Sequence, residues 1–312
     1  MDIVLLFPGQ GSQKPGMAKD LVDSLPAARE VFQRVDDALG TPLSRICFEG
    51  PADELTRTHN AQPALLAHGM AAWAATRGAL EEKVRAAAGH SLGEFTAYGA
   101  SGAIGLEAAA KLVRRRGELM YEAGVRRPGA MVAVLGVLSE SIDELCQRAS
   151  SEGGTVVPAN YNSPEQVVIS GEVAGVDRAI ELVKAAGAKR AVKLNVSGAF
   201  HSPLMEFAQT GLAEALREAR FRAASFPIYS NVTAQPVSSA KDAEVLLLRQ
   251  LTSPVRWTDL VKRLAADHPK ALFVEMGPGN VLVGLVKRIA PEVATATCGT
   301  AAEVKQLLEQ AS

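Results

Sequence analysis

Four short apolar runs recur along the chain, each close to turn-forming residues, and long alanine- and leucine-rich stretches separate them. Runs of this length predict buried strands, and the stretches between them predict helices. Buried strands that alternate with helices indicate a mostly parallel sheet in an α/β fold. The predicted strands comprise residues 3–7, 84–88, 226–230 and 271–275. The predicted helices comprise residues 16–39, 61–79, 106–122, 202–219, 256–267 and 280–290.

The pattern changes after Arg126-Arg127-Pro128-Gly129. From there the chain predicts strand, helix, strand, strand, helix and strand, which is the order of the split ferredoxin-like unit. These six elements are predicted at residues 131–137, 141–151, 155–160, 166–170, 173–186 and 189–196. We therefore expect a small ferredoxin-like α+β domain at 128–196, inserted into a large discontinuous α/β domain formed by 1–127 and 197–312.

Composition narrows the class of protein. The 312 residues are 47% hydrophobic and 21% charged, which is ordinary for a globular protein. A formal net charge of −1 gives no overall field for binding nucleic acid or an anionic membrane. The most apolar stretch, 61–75, is too short to span a bilayer and is interrupted by Gln62 and His68. We expect a protein that binds neither nucleic acid nor membrane.

The cysteines and the N-terminus indicate a compartment. Cys47, Cys146 and Cys298 are far apart and odd in number, so they form neither a disulfide framework nor a zinc spacing. The N-terminus lacks the basic residues and the long apolar run of a signal peptide. A cytoplasmic protein without a metal site is the expectation.

The sharpest local motif is Gly89-His90-Ser91-Leu92-Gly93, which follows a predicted strand and precedes a helical stretch. A Gly-x-Ser-x-Gly sequence in this context predicts a nucleophile elbow, so the large domain is expected to be α/β-hydrolase-like. The residue after such a nucleophile usually supplies one backbone N–H to the oxyanion hole, which here is Leu92. A plain glycine-rich turn is the alternative interpretation of the motif.

A serine nucleophile needs a base within hydrogen-bond reach, and the chain has five histidines. His201 follows the loop at which the small domain returns to the large one, and pockets form at such seams. His90 adjoins the serine and is expected to point away from it. His59 and His268 lie in polar, loop-like or helix-end contexts, and His68 lies in an alanine-rich helical stretch, where a structural histidine is the commoner case.

Seven ordered motifs, spread over nearly the whole chain, resemble the malonyl-CoA:acyl carrier protein transacylase family, which is related to acyltransferase domains of polyketide synthases. The motifs are Phe7-Pro8-Gly9-Gln10-Gly11-Ser12-Gln13, Gly89-His90-Ser91-Leu92-Gly93-Glu94, Arg116-Gly117-Glu118-Leu119-Met120, Asn160-Tyr161-Asn162-Ser163-Pro164, Phe200-His201-Ser202-Pro203-Leu204-Met205, Gln250-Leu251 and Gly277-Pro278-Gly279.

The resemblance implies a ping-pong reaction in which Ser91 attacks malonyl-CoA, His201 takes its proton, and the phosphopantetheine thiol of acyl carrier protein then accepts the malonyl group. It implies that the main-chain carbonyl of Gln250 steadies His201 and that Gln10 supplies the second oxyanion donor. No metal or redox cofactor is implied. Taken alone, the Gln10 loop is also open to a phosphate-binding interpretation, and Gln250 to that of a polar helix end without a role.

Acyl selectivity is assigned through the same resemblance. Arg116 matches the arginine that binds the malonyl carboxylate, and a planar guanidinium suits that task because it can donate two parallel hydrogen bonds. Arg114 and Arg115 lie on other faces of the predicted helix and are expected to be solvated. Phe200 resembles the residue that accompanies malonyl rather than methylmalonyl use.

Three alternatives stay open at this stage. A freestanding polyketide acyltransferase would use the same chemistry with another carrier. A serine thioesterase or hydrolase would be expected to orient its base with Asp or Glu and would not need Arg116. A catalytically silent protein that docks carrier protein would form no acyl-serine. A monomer is expected.

Overall fold

A computed structural model describes residues 1–311. Within this range the chain forms ten strands and fourteen α-helices. The strands are β1 (Ile3–Phe7), β2 (Val84–Gly89), β3 (Gly129–Leu135), β4 (Val156–Ser163), β5 (Gln166–Glu172), β6 (Arg190–Lys193), β7 (Ile228–Tyr229), β8 (Pro236–Val237), β9 (Leu272–Met276) and β10 (Thr295–Cys298).

The helices follow the same numbering along the chain. They are α1 (Lys19–Ser24), α2 (Pro26–Leu39), α3 (Leu43–Glu49), α4 (Ala52–Thr56), α5 (Thr58–Leu80), α6 (Leu92–Ala100), α7 (Leu106–Arg126), α8 (Ile142–Gly153), α9 (Val173–Ala185), α10 (Gln209–Glu218), α11 (Ala240–Gln250), α12 (Trp257–Asp267), α13 (Val281–Ile289) and α14 (Ala301–Ala311). Two short 3₁₀ helices, Glu81–Lys83 and Pro203–Ala208, complete the set.

The first sheet has six strands in the order β10-β9-β1-β2-β7-β8. Its first five strands are parallel, and β8 pairs antiparallel with β7 at one edge. All five residues of β1 are fully buried at the centre, as expected for a strand covered on both faces. The predicted mixed α/β fold with a largely parallel sheet is confirmed.

The second sheet is antiparallel, with strand order β4-β5-β3-β6. Its elements follow the predicted sequence of strand, helix, strand, strand, helix and strand. Helices α8 and α9 contribute to a separate apolar core under this sheet, in which Leu145 and Val176 meet Val132 and Ile169. Backbone hydrogen bonds between Val255 and β4 residues Ala159 and Tyr161 tie the second sheet to the segment that precedes α12.

Several predicted elements differ in extent from the observed ones. The predicted helix 16–39 is two helices, because Leu25 precedes Pro26 and adopts an extended conformation with φ −122° and ψ 113°. The predicted helix 202–219 opens with the 3₁₀ turn that Ser202 caps. The strand predicted at 226–230 shrinks to β7, since Pro227 has no N–H to donate to a neighbouring strand.

Some observed elements were not predicted. They are helices α3, α4, α11 and α14 and strands β8 and β10. None of the helices formed by residues 1–311 combines the length and the apolar character needed to cross a membrane.

Candidate active site

Ser91 occupies a sharp turn between strand β2 and helix α6. Its backbone has φ 50° and ψ −103°, a left-handed region that costs energy for a residue with a Cβ. A Cβ added to Gly89 would lie 1.9 Å from the Gly93 carbonyl carbon, and one added to Gly93 would lie 1.9 Å from the Phe7 carbonyl oxygen. Both glycines are therefore required, and the strand-turn-helix context predicted for the serine is confirmed.

His201 lies against this serine although 110 residues separate them. The Ser91 hydroxyl and His201 Nε2 are 2.8 Å apart, and His201 Nδ1 is 2.8 Å from the main-chain carbonyl oxygen of Gln250. Because a carbonyl only accepts, Nδ1 carries the proton and Nε2 presents its lone pair to the serine hydroxyl. The geometry is that of a nucleophile and base oriented by a third group.

Burial keeps this histidine neutral. His201 is 3% exposed, and burial first and the Arg116 charge second lower its pKa from 6.5 to about 3. The Arg116 charge and the loss of hydration both disfavour the protonated imidazolium, so both lower the pKa of His201. His201 can therefore accept a proton throughout the neutral pH range.

Arg116 brings a positive charge to the same point. Its side chain is 1% exposed, and its Nη2 donates to Ser91 Oγ at 3.1 Å. Two amide oxygens hold the guanidinium, Gln62 Oε1 at 2.8 Å and Gln250 Oε1 at 2.9 Å. Burial lowers the Arg116 pKa to about 10, which still leaves it charged at neutral pH.

The guanidinium of Arg116 has no direct counter-charge. Among residues 1–311 no carboxylate oxygen lies within 4.0 Å of it, although seventeen other pairs of charged groups do meet that distance. A buried charge without a partner is costly, so it is usually matched by an anionic ligand or by a dense set of hydrogen bonds. The arrangement suits an anionic group that binds beside Ser91.

The two neighbouring arginines face elsewhere. Arg115 is exposed and pairs with Glu118 and Glu122, as expected for a solvated face. Arg114 is half-buried and donates to Asn60 Oδ1 at 2.6 Å, so the expectation that it is solvated is wrong. Asn60 lies on α5, which packs along α7 and covers this position.

A cavity of about 270 Å³ opens over the serine and the histidine. Met131 of β3 and Asn160 of β4 form part of its wall, so both sheets contribute to it, as expected for a site at the seam. His90 also lines the cavity, but its Nε2 donates to Asn162 Oδ1 at 2.7 Å rather than to the serine. The predicted site residues that line the cavity are Gln10, Ser91, Leu92, Arg116, Phe200 and His201. Gln250 stands behind the cavity and contributes its carbonyl to His201.

Sequence reasoning missed three polar residues that hold this site. Asn231 accepts from Ser91 N–H at 2.7 Å and donates to the Gly89 carbonyl at 2.8 Å, which clamps both sides of the elbow. Gln62 holds Arg116, and Glu94 accepts from the side chain of Gln250. A polar residue inside an apolar helical stretch is a signal that points to a buried partner, and Gln62 carries it.

The remaining three histidines do not line the cavity. His68 is buried and hydrogen-bonds through Nε2 to the Gly299 carbonyl at 2.8 Å. His59 packs edge-on against Tyr121, and His268 against Tyr229. Within residues 1–311 no group of three or more His, Cys, Asp or Glu side chains is arranged to hold a metal ion.

Comparison with known proteins defines the class first. The family model for the acyl transferase domain matches residues 4–305. A malonyl CoA-acyl carrier protein transacylase of Bacillus subtilis is 45% identical over 92% of this chain and 90% of its own. The chain therefore belongs to the acyl transferase family, and within it to the malonyl CoA-acyl carrier protein transacylases.

Solved structures agree with this assignment. An acyl-carrier-protein S-malonyltransferase from Bartonella henselae superposes with a TM-score of 0.94 at 41% identity, covering 100% of this chain and 99% of its own. A malonyl-transacylase solved in complex with a type II PKS acyl-carrier protein superposes with a TM-score of 0.92 at 40% identity, covering 99% and 100%. At these identities the fold and the family are both shared.

Proposed function

We propose that this enzyme transfers a malonyl group from malonyl-CoA to the phosphopantetheine thiol of an acyl carrier protein, for fatty-acid synthesis, through a malonyl-Ser91 intermediate. The observation that carries the proposal is the guanidinium of Arg116, buried without a carboxylate partner 3.1 Å from the hydroxyl of Ser91. A thioester whose acyl group ends in a carboxylate supplies the missing charge at the distance that the nucleophile requires.

Both half-reactions use the same pair of residues. His201 Nε2 takes the proton from Ser91 Oγ as that oxygen attacks the thioester carbonyl. The C–S bond then breaks, and the proton passes from His201 to the departing coenzyme A sulfur. In the second half, His201 takes the proton of the carrier thiol, the sulfur attacks the acyl-serine, and the C–O bond breaks as the proton returns to Ser91. No resident cofactor takes part, since the pantetheine thiols arrive with the substrates.

The oxyanion of each tetrahedral intermediate is assigned to two backbone N–H groups, those of Leu92 and Gln10. Leu92 begins helix α6, where the first N–H groups have no partner within the helix and the helix dipole favours negative charge. Gln10 lines the cavity opposite, and its side chain is tethered to Thr58 Oγ1 at 3.4 Å. The phosphate-loop interpretation of Gln10 has less support, because the chain lacks the full glycine pattern.

Selectivity for malonyl over other acyl groups is assigned to Arg116 and Phe200. Arg116 binds the free carboxylate. The Phe200 ring is buried at the cavity wall, where its bulk leaves little room for a branching methyl. A methylmalonyl group would then be rejected by volume and an acetyl group by the lack of charge.

The finer architecture belongs to the same proposal. Residues 128–196 form an inserted ferredoxin-like domain, and 1–127 with 197–312 form the catalytic domain, which resembles α/β-hydrolases in its elbow. In support, the antiparallel sheet has its own apolar core. The enzyme is proposed to act as a monomer in the cytoplasm, and three buried cysteines without a disulfide are in keeping with a reducing compartment.

Intact-protein mass spectrometry after brief incubation with malonyl-CoA tests the function. The expected result is one malonyl-sized adduct that added acyl carrier protein discharges much faster than water does. Acetyl-CoA in place of malonyl-CoA is expected to load poorly. Absence of an adduct, or discharge by water at the same rate as by carrier protein, would contradict the transferase and favour a silent binding protein or a hydrolase.

A polyketide carrier is the second candidate acceptor. It is favoured by the similar malonyl-transacylase that was solved with a type II PKS acyl-carrier protein. Turnover with carriers of both classes, at matched concentrations, decides between them. Higher kcat/KM with a fatty-acid carrier supports the first candidate, and the reverse supports the second.

Removal of the guanidinium, Arg116→Ala, is expected to abolish the preference for malonyl. The malonyl carboxylate would enter the cavity unpaired, at a cost of about 2–4 kcal/mol, so kcat/KM for malonyl-CoA should fall roughly 30- to 1,000-fold. Loading from acetyl-CoA should be retained. Arg115→Ala is the matched control because Arg115 is one position away on the same helix but exposed. Equal malonyl kinetics in Arg116→Ala and the control would refute the assignment.

A further inference from the structure

Glu94 is a buried carboxylate in the first turn of α6, and the mechanism above gives it no task. Its side chain is 0% exposed, and its Oε2 accepts from the Gln250 side-chain amide at 2.7 Å and from Asn231 N–H at 3.1 Å. Within residues 1–311 no lysine, arginine or histidine nitrogen lies within 4.0 Å of this carboxylate, since every pair at that distance involves other residues. Burial raises its pKa to about 7, against the effect of these hydrogen bonds and of Arg116.

The amide of Gln250 connects Glu94 to Arg116. Its Nε2 donates to Glu94 Oε2 at 2.7 Å and to the Ser91 carbonyl at 3.0 Å, while its Oε1 accepts from Arg116 Nη2 at 2.9 Å. An amide has one donating and one accepting end, so its orientation decides both contacts. If it were reversed, its N–H groups would face the guanidinium and its oxygen would face three other oxygens, namely Glu94 Oε2, the Ser91 carbonyl oxygen and Asn231 Oδ1.

Glu94 supplies the shortest of the three contacts that set this orientation, at 2.7 Å. Both donors meet the same oxygen, Oε2, which accepts whether or not Oε1 carries a proton, so Glu94 attracts the donating end of the amide and leaves Gln250 Oε1 directed at Arg116. We propose that Glu94 is a positioning residue for acyl selectivity: through the amide of Gln250 it holds Arg116 where the malonyl carboxylate binds. This inference rests on the proposed function, because it assigns Arg116 to that carboxylate.

The indirect contact has a physical advantage. A carboxylate in direct contact with Arg116 would occupy the N–H groups that the substrate needs and would repel its charge. One amide between them lets a neutral oxygen contact the guanidinium, so the guanidinium charge is left for the substrate. Gln62 Oε1 on the other side of the guanidinium is neutral as well.

Glu94→Met tests the inference, with Glu94→Gln as the matched control. Methionine has a similar length and no strong acceptor, whereas glutamine keeps an oxygen that both donors can reach. The second-order acylation constant kcat/KM is measured with malonyl-CoA and with acetyl-CoA for each variant. In Glu94→Met the malonyl value should fall about 10- to 100-fold and the acetyl value should stay within about threefold. Glu94→Gln should keep both values within about threefold.

A double-mutant cycle with Gln250→Met shows whether Glu94 acts through the amide. Gln250→Met removes the amide but keeps the backbone carbonyl that binds His201. In that background Glu94→Met should no longer change the ratio of malonyl to acetyl kcat/KM, because the connecting group is gone. Additive effects of the two substitutions on that ratio would overturn the inference.

A purely structural role gives a different result. It predicts that Glu94→Met lowers both acyl rates in parallel, and that outcome, or an unchanged malonyl preference, overturns the inference. If Glu94→Met does not fold, as judged by its melting temperature, Glu94→Ala takes its place with the same two expectations. A wild-type enzyme that shows no malonyl preference contradicts the proposed function instead, so the two failures are distinguishable.

Discussion

The Ser91→Ala enzyme is expected to take up no malonyl group from malonyl-CoA, with loading at least roughly 10⁴-fold slower than in the wild type. The substitution removes the attacking oxygen and leaves the rest of the cavity in place. Alanine keeps the Cβ of serine, so the substitution adds no new steric clash at φ 50° and the turn should be retained. The loss should therefore be chemical rather than structural.

Intact mass after incubation with malonyl-CoA measures this loss, and the melting temperature reports on the fold. Ser151→Ala is the matched control, because Ser151 is an exposed helical serine far along the chain from the elbow. The control should load like the wild type. An adduct of undiminished yield in Ser91→Ala would show that another residue is the nucleophile.

The elbow could be predicted from sequence because its determinants are local. Gly89, Ser91 and Gly93 lie within five positions, and the close approach that excludes a Cβ at Gly89 is to Gly93 in the same turn. The contact that excludes a Cβ at Gly93 is with the Phe7 carbonyl of β1, so that requirement depends on the assembled sheet. The pairing of Ser91 with His201 is different, since it joins residues 110 positions apart. Its position at the seam between two predicted domains made His201 a candidate base. Only the family resemblance assigned that role to His201 specifically.

The supporting polar residues could not be predicted in the same way. Asn231 and Glu94 act through hydrogen bonds to segments distant in sequence, and their partners are defined only when the sheet is assembled. Glu94 stands in a motif that the sequence already displayed, but its burial was not visible there. A glutamate in the first turn of a helix usually lies at the surface, where its charge interacts favourably with the helix dipole. Because that role is common, a buried role for Glu94 is hard to recognise from sequence.

The elements of the fold likewise differ in how well the local sequence predicts them. The buried central strands were predicted closely because their apolar runs are continuous. Strand β10, Thr295–Cys298, lies at the sheet edge and has two threonines in four residues, so it carries little of the apolar signal of a buried strand. The break between helices α1 and α2 at Leu25 could have been predicted from the sequence, because a residue that precedes proline avoids the helical backbone conformation.

The His201→Ala enzyme should still bind malonyl-CoA but acylate Ser91 roughly 10³- to 10⁴-fold more slowly. The serine hydroxyl would lose the acceptor at 2.8 Å, and no other base lies within hydrogen-bond distance of it among residues 1–311. Arg116 Nη2 still donates to that oxygen at 3.1 Å and so favours the alkoxide to a small extent. For this reason the expected loss is smaller than for Ser91→Ala.

Stopped-flow or quenched loading followed by mass spectrometry separates binding from acylation in this variant. The maximal acylation rate should fall while the malonyl-CoA concentration for half-maximal rate changes little, since Arg116 and the cavity wall are retained. His268→Ala is the matched control, because it removes an imidazole that packs on Tyr229 and does not line the cavity. A change confined to the half-maximal concentration would make His201 a binding residue and would require a different base. A fall in the maximal rate alone, absent from the control, identifies His201 as the group that receives the serine proton.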